Sequence, residues 1–211
     1  MLLIGQYDSP FVRRVAIALR IYGVAFDHAP WSGFGDVEKI AAHNPLRRVP
    51  TLVMDDGVVM VDSLAILEVI DDLVGPERAV LARKGPDLRD HLRLSVFAAG
   101  VADKAVSLVY EKAFREGLPM WVERCRSQVG DTLTMLEAER AGRSTPWLFG
   151  ETMSHADVIL ATMFKFVSES LDGAFDMGSF KALTAHSERC EALEVFVSCY
   201  QPYRLAMPGE D

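Results

Sequence analysis

The chain has 211 residues, half of them hydrophobic and a quarter charged, a composition that excludes disorder and leaves room for one or two globular domains. Thirty acidic against 22 basic residues give a net charge of −8, which opposes phosphate backbones and anionic membrane surfaces and makes nucleic acid an unexpected partner. No basic N-terminal segment precedes an apolar run, and no run approaches the roughly 18 residues of a membrane span. A cytoplasmic location without membrane contact is expected.

The elements alternate between strand and helix up to about residue 75. Leu2 to Gly5 reads as a short strand. Pro10 to Tyr22 reads as a helix, because Pro suits its first position and Gly23 stops it. Ala25 to Ala29 is a second strand, and Asp36 to Ala42 a helix ended by Asn44-Pro45. Thr51 to Met54 and Val58 to Val61 flank Asp55-Asp56-Gly57, a hairpin signal. Ser63 to Leu73 closes the unit as a helix before Gly75-Pro76. The order βαβ-α-ββα belongs to a mixed four-stranded sheet with helices packed on it, an α/β domain over residues 1–75.

Strand signals then vanish. Asp87 to Phe114, Pro119 to Ala141, Ser154 to Leu171 and Ser187 to Tyr200 interleave apolar and charged residues as helices do. An all-α C-terminal domain is expected over 87–211, joined through a Gly/Pro-marked linker at 76–86.

Cys125, Cys190 and Cys199 are an odd set without C-x-x-C spacing, which predicts buried reduced thiols and neither a disulfide framework nor structural zinc. Five histidines without an i,i+4 pair predict no metal.

Three signals in the first domain carry chemistry. Ser9-Pro10-Phe11-Val12 lies between a strand and a helix and resembles the Cys-Pro-aromatic-Cys redox turn of a thioredoxin-like domain with both cysteines replaced. Disulfide exchange is thereby lost, yet a hydroxyl remains at a positive helix end that can hold an external thiol as thiolate. Val49-Pro50-Thr51 places a proline at a strand entry, where a cis bond would leave the Val49 amide and carbonyl facing the cleft. Asp62-Ser63 falls where a strand gives way to a helix, and there a hydroxyl and free amides receive a carboxylate while Asp62 receives an ammonium. Plain capping and an ordinary turn are the structural alternatives for each signal.

Together these residues resemble the cytosolic glutathione S-transferases over nearly the whole chain, through Ser9-Pro10-Phe11-Val12-Arg13-Arg14-Val15, Asn44 to Leu52 and Asp62 to Leu67. The opening turn is similar to that of the bacterial serine-type members. Ser154-His155-Ala156-Asp157 adds a capping box, with Met153 and Val158 as a staple, a mark of folding and not of binding.

The resemblance implies a glutathione transferase that attacks small, apolar electrophiles without a metal. Ser9 would hydrogen-bond the glutathione sulfur as the catalytic residue, Val49 would pair with the cysteinyl part, and Asp62 and Ser63 would bind the γ-glutamyl end. It also implies a homodimer. A glutathione-dependent peroxidase or reductase uses the same residues, and a non-catalytic interaction protein uses the same fold. Tyr7 is the rival hydroxyl, disfavoured by its distance from the helix start. Arg47 stands where relatives often carry Gly, and Arg47 or Arg48 either meets the glycyl carboxylate or is solvated surface. Relatives bind the second substrate between the domains, which makes Trp31, Phe34, Tyr110, Phe114 and Phe164 candidate wall residues or ordinary core.

Overall fold

The computed structural model describes residues 1–82 and 84–205; Arg83, in the expected linker, and residues 206–211, in the expected second domain, lie outside the described residues. The first elements are β1 (Leu2–Ile4), α1 (Pro10–Ile21), β2 (Asp27–Ala29), α2 (Val37–Ala41), β3 (Thr51–Val53), β4 (Val59–Val61) and α3 (Ser63–Val74). The strands form one sheet in the order β2-β1-β3-β4. β1 runs parallel to β2, and β3 runs antiparallel to β1 and β4, with Ile4 opposite both Ala29 and Thr51. This is the mixed, thioredoxin-like sheet expected from the strand and helix order.

α1 forms because both of its ends are specified and its middle is apolar. Ser9 is the N-cap and Pro10 the first helical residue, while Val12 and the run Val15 to Leu19 are wholly buried. At the far end Gly23 adopts φ 64. Its amide bonds to the Arg20 carbonyl and the Val24 amide to the Leu19 carbonyl, the paired arrangement of a Schellman stop.

The helical part contains α4 (Leu88–Phe114), α5 (Pro119–Ala141), α6 (His155–Ser170), α7 (Lys181–Glu191) and α8 (Glu194–Val197). α6 is buried on every side from His155 to Phe164, as a central helix must be. Its N-terminus is organised by Asp157, whose carboxylate accepts from the Ser154 amide at 2.8 Å, the Ser154 hydroxyl at 2.6 Å and the Leu148 amide at 2.8 Å.

One expected helix is redrawn. In place of a single helix from Ser187 to Tyr200, α7 begins at Lys181 and the chain breaks before α8. The early start is capped from another helix: the Glu137 carboxylate of α5 accepts from the Ala182 and Leu183 amides at 2.8 and 2.9 Å. The end of α8 is held by Arg13 of α1, which donates to the Phe196 and Cys199 carbonyls at 3.0 and 2.9 Å.

Two compact units result. Among the described residues, one is Met1–Val80 together with residues 194–205, and the other is Leu81–Leu193. The C-terminal segment, expected within a domain of residues 87–211, thus packs with the first unit through the Arg13 bonds. Among the described residues no helix is long and apolar enough to cross a membrane.

Candidate functional site

Ser9 stands where β1 has ended and α1 begins, half-buried, with its Oγ accepting from the Val12 amide at a long 3.4 Å. A hydroxyl so lightly held stays available to another acceptor beside the Phe11 amide, which has no partner among the described residues.

Val49 reaches the same corner through Gly5. Gly5 has φ 129, and a Cβ there would lie 2.5 Å from Val12 Cγ2 and 2.8 Å from Val49 Cβ. Only glycine lets the first turn of α1 and the loop before β3 close on the end of β1. The Val49–Pro50 bond is cis. The Val49 amide and carbonyl have no hydrogen-bond partner among the described residues.

Asn44 shapes that loop from below. Buried at 1% exposure, it donates to the Arg48 carbonyl and Thr51 Oγ1 and accepts from the Leu46 amide. Arg47 adopts φ 52, a left-handed conformation that disfavours a side chain by about 1–2 kcal/mol. Arg47 and Arg48 are exposed, and Arg47 lies 3.8 Å from Glu38.

Asp62 and Ser63 start α3. Asp62, exposed and at φ 68, caps the helix by accepting from the Leu64 amide at 2.9 Å. Ser63 is 2% exposed, and its Oγ accepts a hydrogen bond from Arg14 Nη2 of α1. Arg14 is itself buried and sits 5.1 Å from the centre of the Phe11 ring. At the other end of the same helix pair, the Tyr22 hydroxyl donates to Asp71 at 2.5 Å. α1 therefore ties all three sequence signals together: it carries Ser9, meets Val49 across Gly5, and grips Ser63 through Arg14.

Tyr7 is engaged elsewhere. Its ring stacks on His28 at 4.0 Å, and its hydroxyl faces Arg20 and Cys199. Burial pushes the phenol above its ordinary range, and the Cys199 thiol adds to the shift. Among the aromatic candidates Phe164 is buried, whereas Tyr110 and Phe114 are exposed neighbours at 5.6 Å, and Trp31 packs beside His43. All three cysteines are buried free thiols. No group of three or more His, Cys, Asp or Glu arranged for a metal occurs among the described residues.

Arg14 and Asn44 are the organising residues that the sequence reading missed. Both are polar side chains in the interior, and no local pattern announces that a given Arg or Asn is buried.

Known families match both halves in order. Residues 3–78 match the model of the glutathione S-transferase N-terminal domain, and residues 119–189 that of the glutathione S-transferase C-terminal domain. The chain belongs to the glutathione S-transferase family. It is 33% identical over 113 residues to the uncharacterized GST-like protein YibF of Escherichia coli (strain K12), a match covering 54% of this chain and 55% of that protein. It is 25% identical to maleylacetoacetate isomerase of Mus musculus, over 99% of this chain and 96% of the isomerase. A glutathione S-transferase from Methylobacterium radiotolerans, crystallised in complex with glutathione sulfonate, shares the fold with a TM-score of 0.89 at 23% identity, covering 100% of this chain and 98% of the other.

Proposed function

We propose that this protein is a bacterial serine-type glutathione transferase that binds glutathione and activates its thiol as thiolate for attack on a small, apolar electrophile. Ser9 donates its hydroxyl proton to the sulfur. Val49 pairs through its free amide and carbonyl with the cysteinyl part. Asp62 receives the γ-glutamyl ammonium and Ser63 the carboxylate. All four residues belong to the first 75, the glutathione-binding domain, which a linker at 76–86 joins to a helical domain whose compact unit ends at Leu193.

The observation that carries this reading is the convergence on α1 of an N-cap hydroxyl, an unpaired peptide edge and a helix N-terminus held by Arg14. Lowering a thiol pKa from about 8.5 by two units requires about 2.7 kcal/mol of preference for the thiolate. A charge-assisted hydrogen bond gives about 1.5–3 kcal/mol and a helix end about 0.3–1, so one hydroxyl at this position suffices. No metal is required for that step. Arg47 and Arg48 are assigned to solvated surface, in keeping with their exposure.

A peroxidase or reductase acting on the same bound thiol is the second reading, favoured by the same residues. A calorimetric titration with glutathione separates both enzymes from a non-catalytic interaction protein, which would not bind it. A screen of model electrophiles against hydroperoxides then separates the enzymes.

We further propose a cytoplasmic homodimer. The three buried free thiols suit a reducing compartment. On α4, Leu88, Leu92 and Val96 recur every four residues at 42, 44 and 57% exposure, an apolar stripe of the kind that a second copy covers. Light scattering at micromolar concentration tests the dimer, and a monomer would defeat it.

A further inference from the structure

A groove of about 600 Å³ opens beside the edge strand β2 in the first unit, and nothing in the proposed transfer reaction uses it. Tyr7 and His28 both line it, their rings stacked face to face at 4.0 Å and within 4° of parallel, a rigid aromatic pair on one wall. His28 Nε2 meets the Gly5 carbonyl at 2.8 Å, which fixes the ring and makes Nε2 the protonated nitrogen. Phe26 adds a second aromatic wall.

The groove also presents two charges of opposite sign. Arg20 donates from Nε to Cys199 Sγ at 3.1 Å and lies 5.7 Å from the Phe26 ring centre, so its guanidinium is held in place and not free to roam. It has no carboxylate partner among the described residues. Glu194, at the start of α8, has no cationic partner among the described residues either, and the two do not pair with each other. A simple aromatic acid would satisfy Arg20 but face the Glu194 carboxylate, and an aromatic amine would meet the reverse problem. A molecule with both charges satisfies both walls.

We infer that this groove is a second ligand site, distinct from the Ser9 corner, that takes a planar aromatic zwitterion, with its carboxylate on Arg20, its ammonium toward Glu194 and its ring against the aromatic walls. The volume lies within the range of small-molecule sites, and preset aromatic faces with a few fixed polar groups are what such sites use for orientation. The position also gives Tyr7 a role that the thiolate chemistry leaves open.

The test is calorimetric titration of the intact protein with 4-(aminomethyl)benzoate, alongside 4-methylbenzoate, which lacks the amine, and benzylamine, which lacks the acid. The zwitterion should bind saturably, roughly tenfold or more tighter than either analogue, and its affinity should be unchanged when S-hexylglutathione is present in excess. Arg20→Leu should weaken the zwitterion and 4-methylbenzoate alike by at least about tenfold. Glu194→Gln should weaken the zwitterion and spare 4-methylbenzoate. Because Arg20 also touches Cys199 and Phe26, Ala25→Trp serves as the second variant: it fills the groove from an exposed position and should abolish binding with an unchanged melting curve. The inference is overturned by equal affinity in Ala25→Trp, by equal binding of zwitterion and single-charge analogues, by competition with S-hexylglutathione, or by no saturable binding at millimolar concentration. Because none of these readouts needs glutathione turnover, the groove and the transferase reading can fail separately.

Discussion

Arg14 holds Ser63: the guanidinium of the first helix donates to the hydroxyl that opens the third, and both side chains are buried. With its oxygen engaged as acceptor, Ser63 has its proton left to donate, and the start of α3 is fixed where the γ-glutamyl carboxylate is proposed to bind. Arg14→Leu should therefore raise KM for glutathione by roughly tenfold while kcat at saturating glutathione changes little, the split expected when binding and not the chemical step is lost. Steady-state kinetics with Arg14→Lys as an intermediate case check this. An equal loss in kcat would place Arg14 in the chemistry instead.

Asp62 has two roles that one substitution separates. Asn accepts from the Leu64 amide as well as Asp does, so Asp62→Asn preserves the cap of α3 but removes the negative charge. Glutathione affinity should fall about tenfold, whereas the affinity for an analogue lacking the γ-glutamyl amino group should not change. Calorimetry with both ligands reads the difference.

These assignments show what was legible in the chain and what was not. The strand and helix order, the cap at Ser9, the hairpin turn and the helix start at Asp62-Ser63 follow from local chemistry, which short windows of sequence contain. The start of α7 was missed because its cap comes from Glu137, some 45 residues earlier in the chain. The end of α8 was missed because Arg13 lies 183 residues from Phe196. Arg14 and Asn44 escaped for the same reason: their importance lies in partners that only the fold brings near.

Asp157 should be the most sensitive polar residue of the helical unit. It is fully buried and accepts three hydrogen bonds, so Asp157→Ala leaves the Leu148 amide and both Ser154 donors without an acceptor. At about 1–3 kcal/mol for each buried group left unsatisfied, a loss of at least about 3 kcal/mol is expected in denaturant unfolding. A change below about 1 kcal/mol would show that the box is ornamental.

His186 gives the helical unit a pH dependence. Burial depresses its pKa below the ordinary imidazole value near 6.5, although the neighbouring Asp157 works in the opposite direction. Below about pH 6.5 the unfolded chain takes up a proton that the folded imidazole does not, so this contribution to stability is present at neutral pH and is lost on acidification. His186→Gln should flatten the fall in stability between about pH 6.5 and 5 relative to the parent, measured by urea unfolding. An unchanged slope would assign the acid sensitivity to other groups.

Stabilisation of a thiolate by the Ser9 hydroxyl is read most directly from the ultraviolet absorbance of bound glutathione against pH in the parent protein and in Ser9→Ala. The thiol pKa should be higher in the variant by about one to two units, with a roughly ten- to hundredfold fall in kcat/KM at neutral pH and a deficit that shrinks as the thiol ionises unaided at high pH. An identical pKa and identical activity in the two proteins, with glutathione bound equally well, would contradict it.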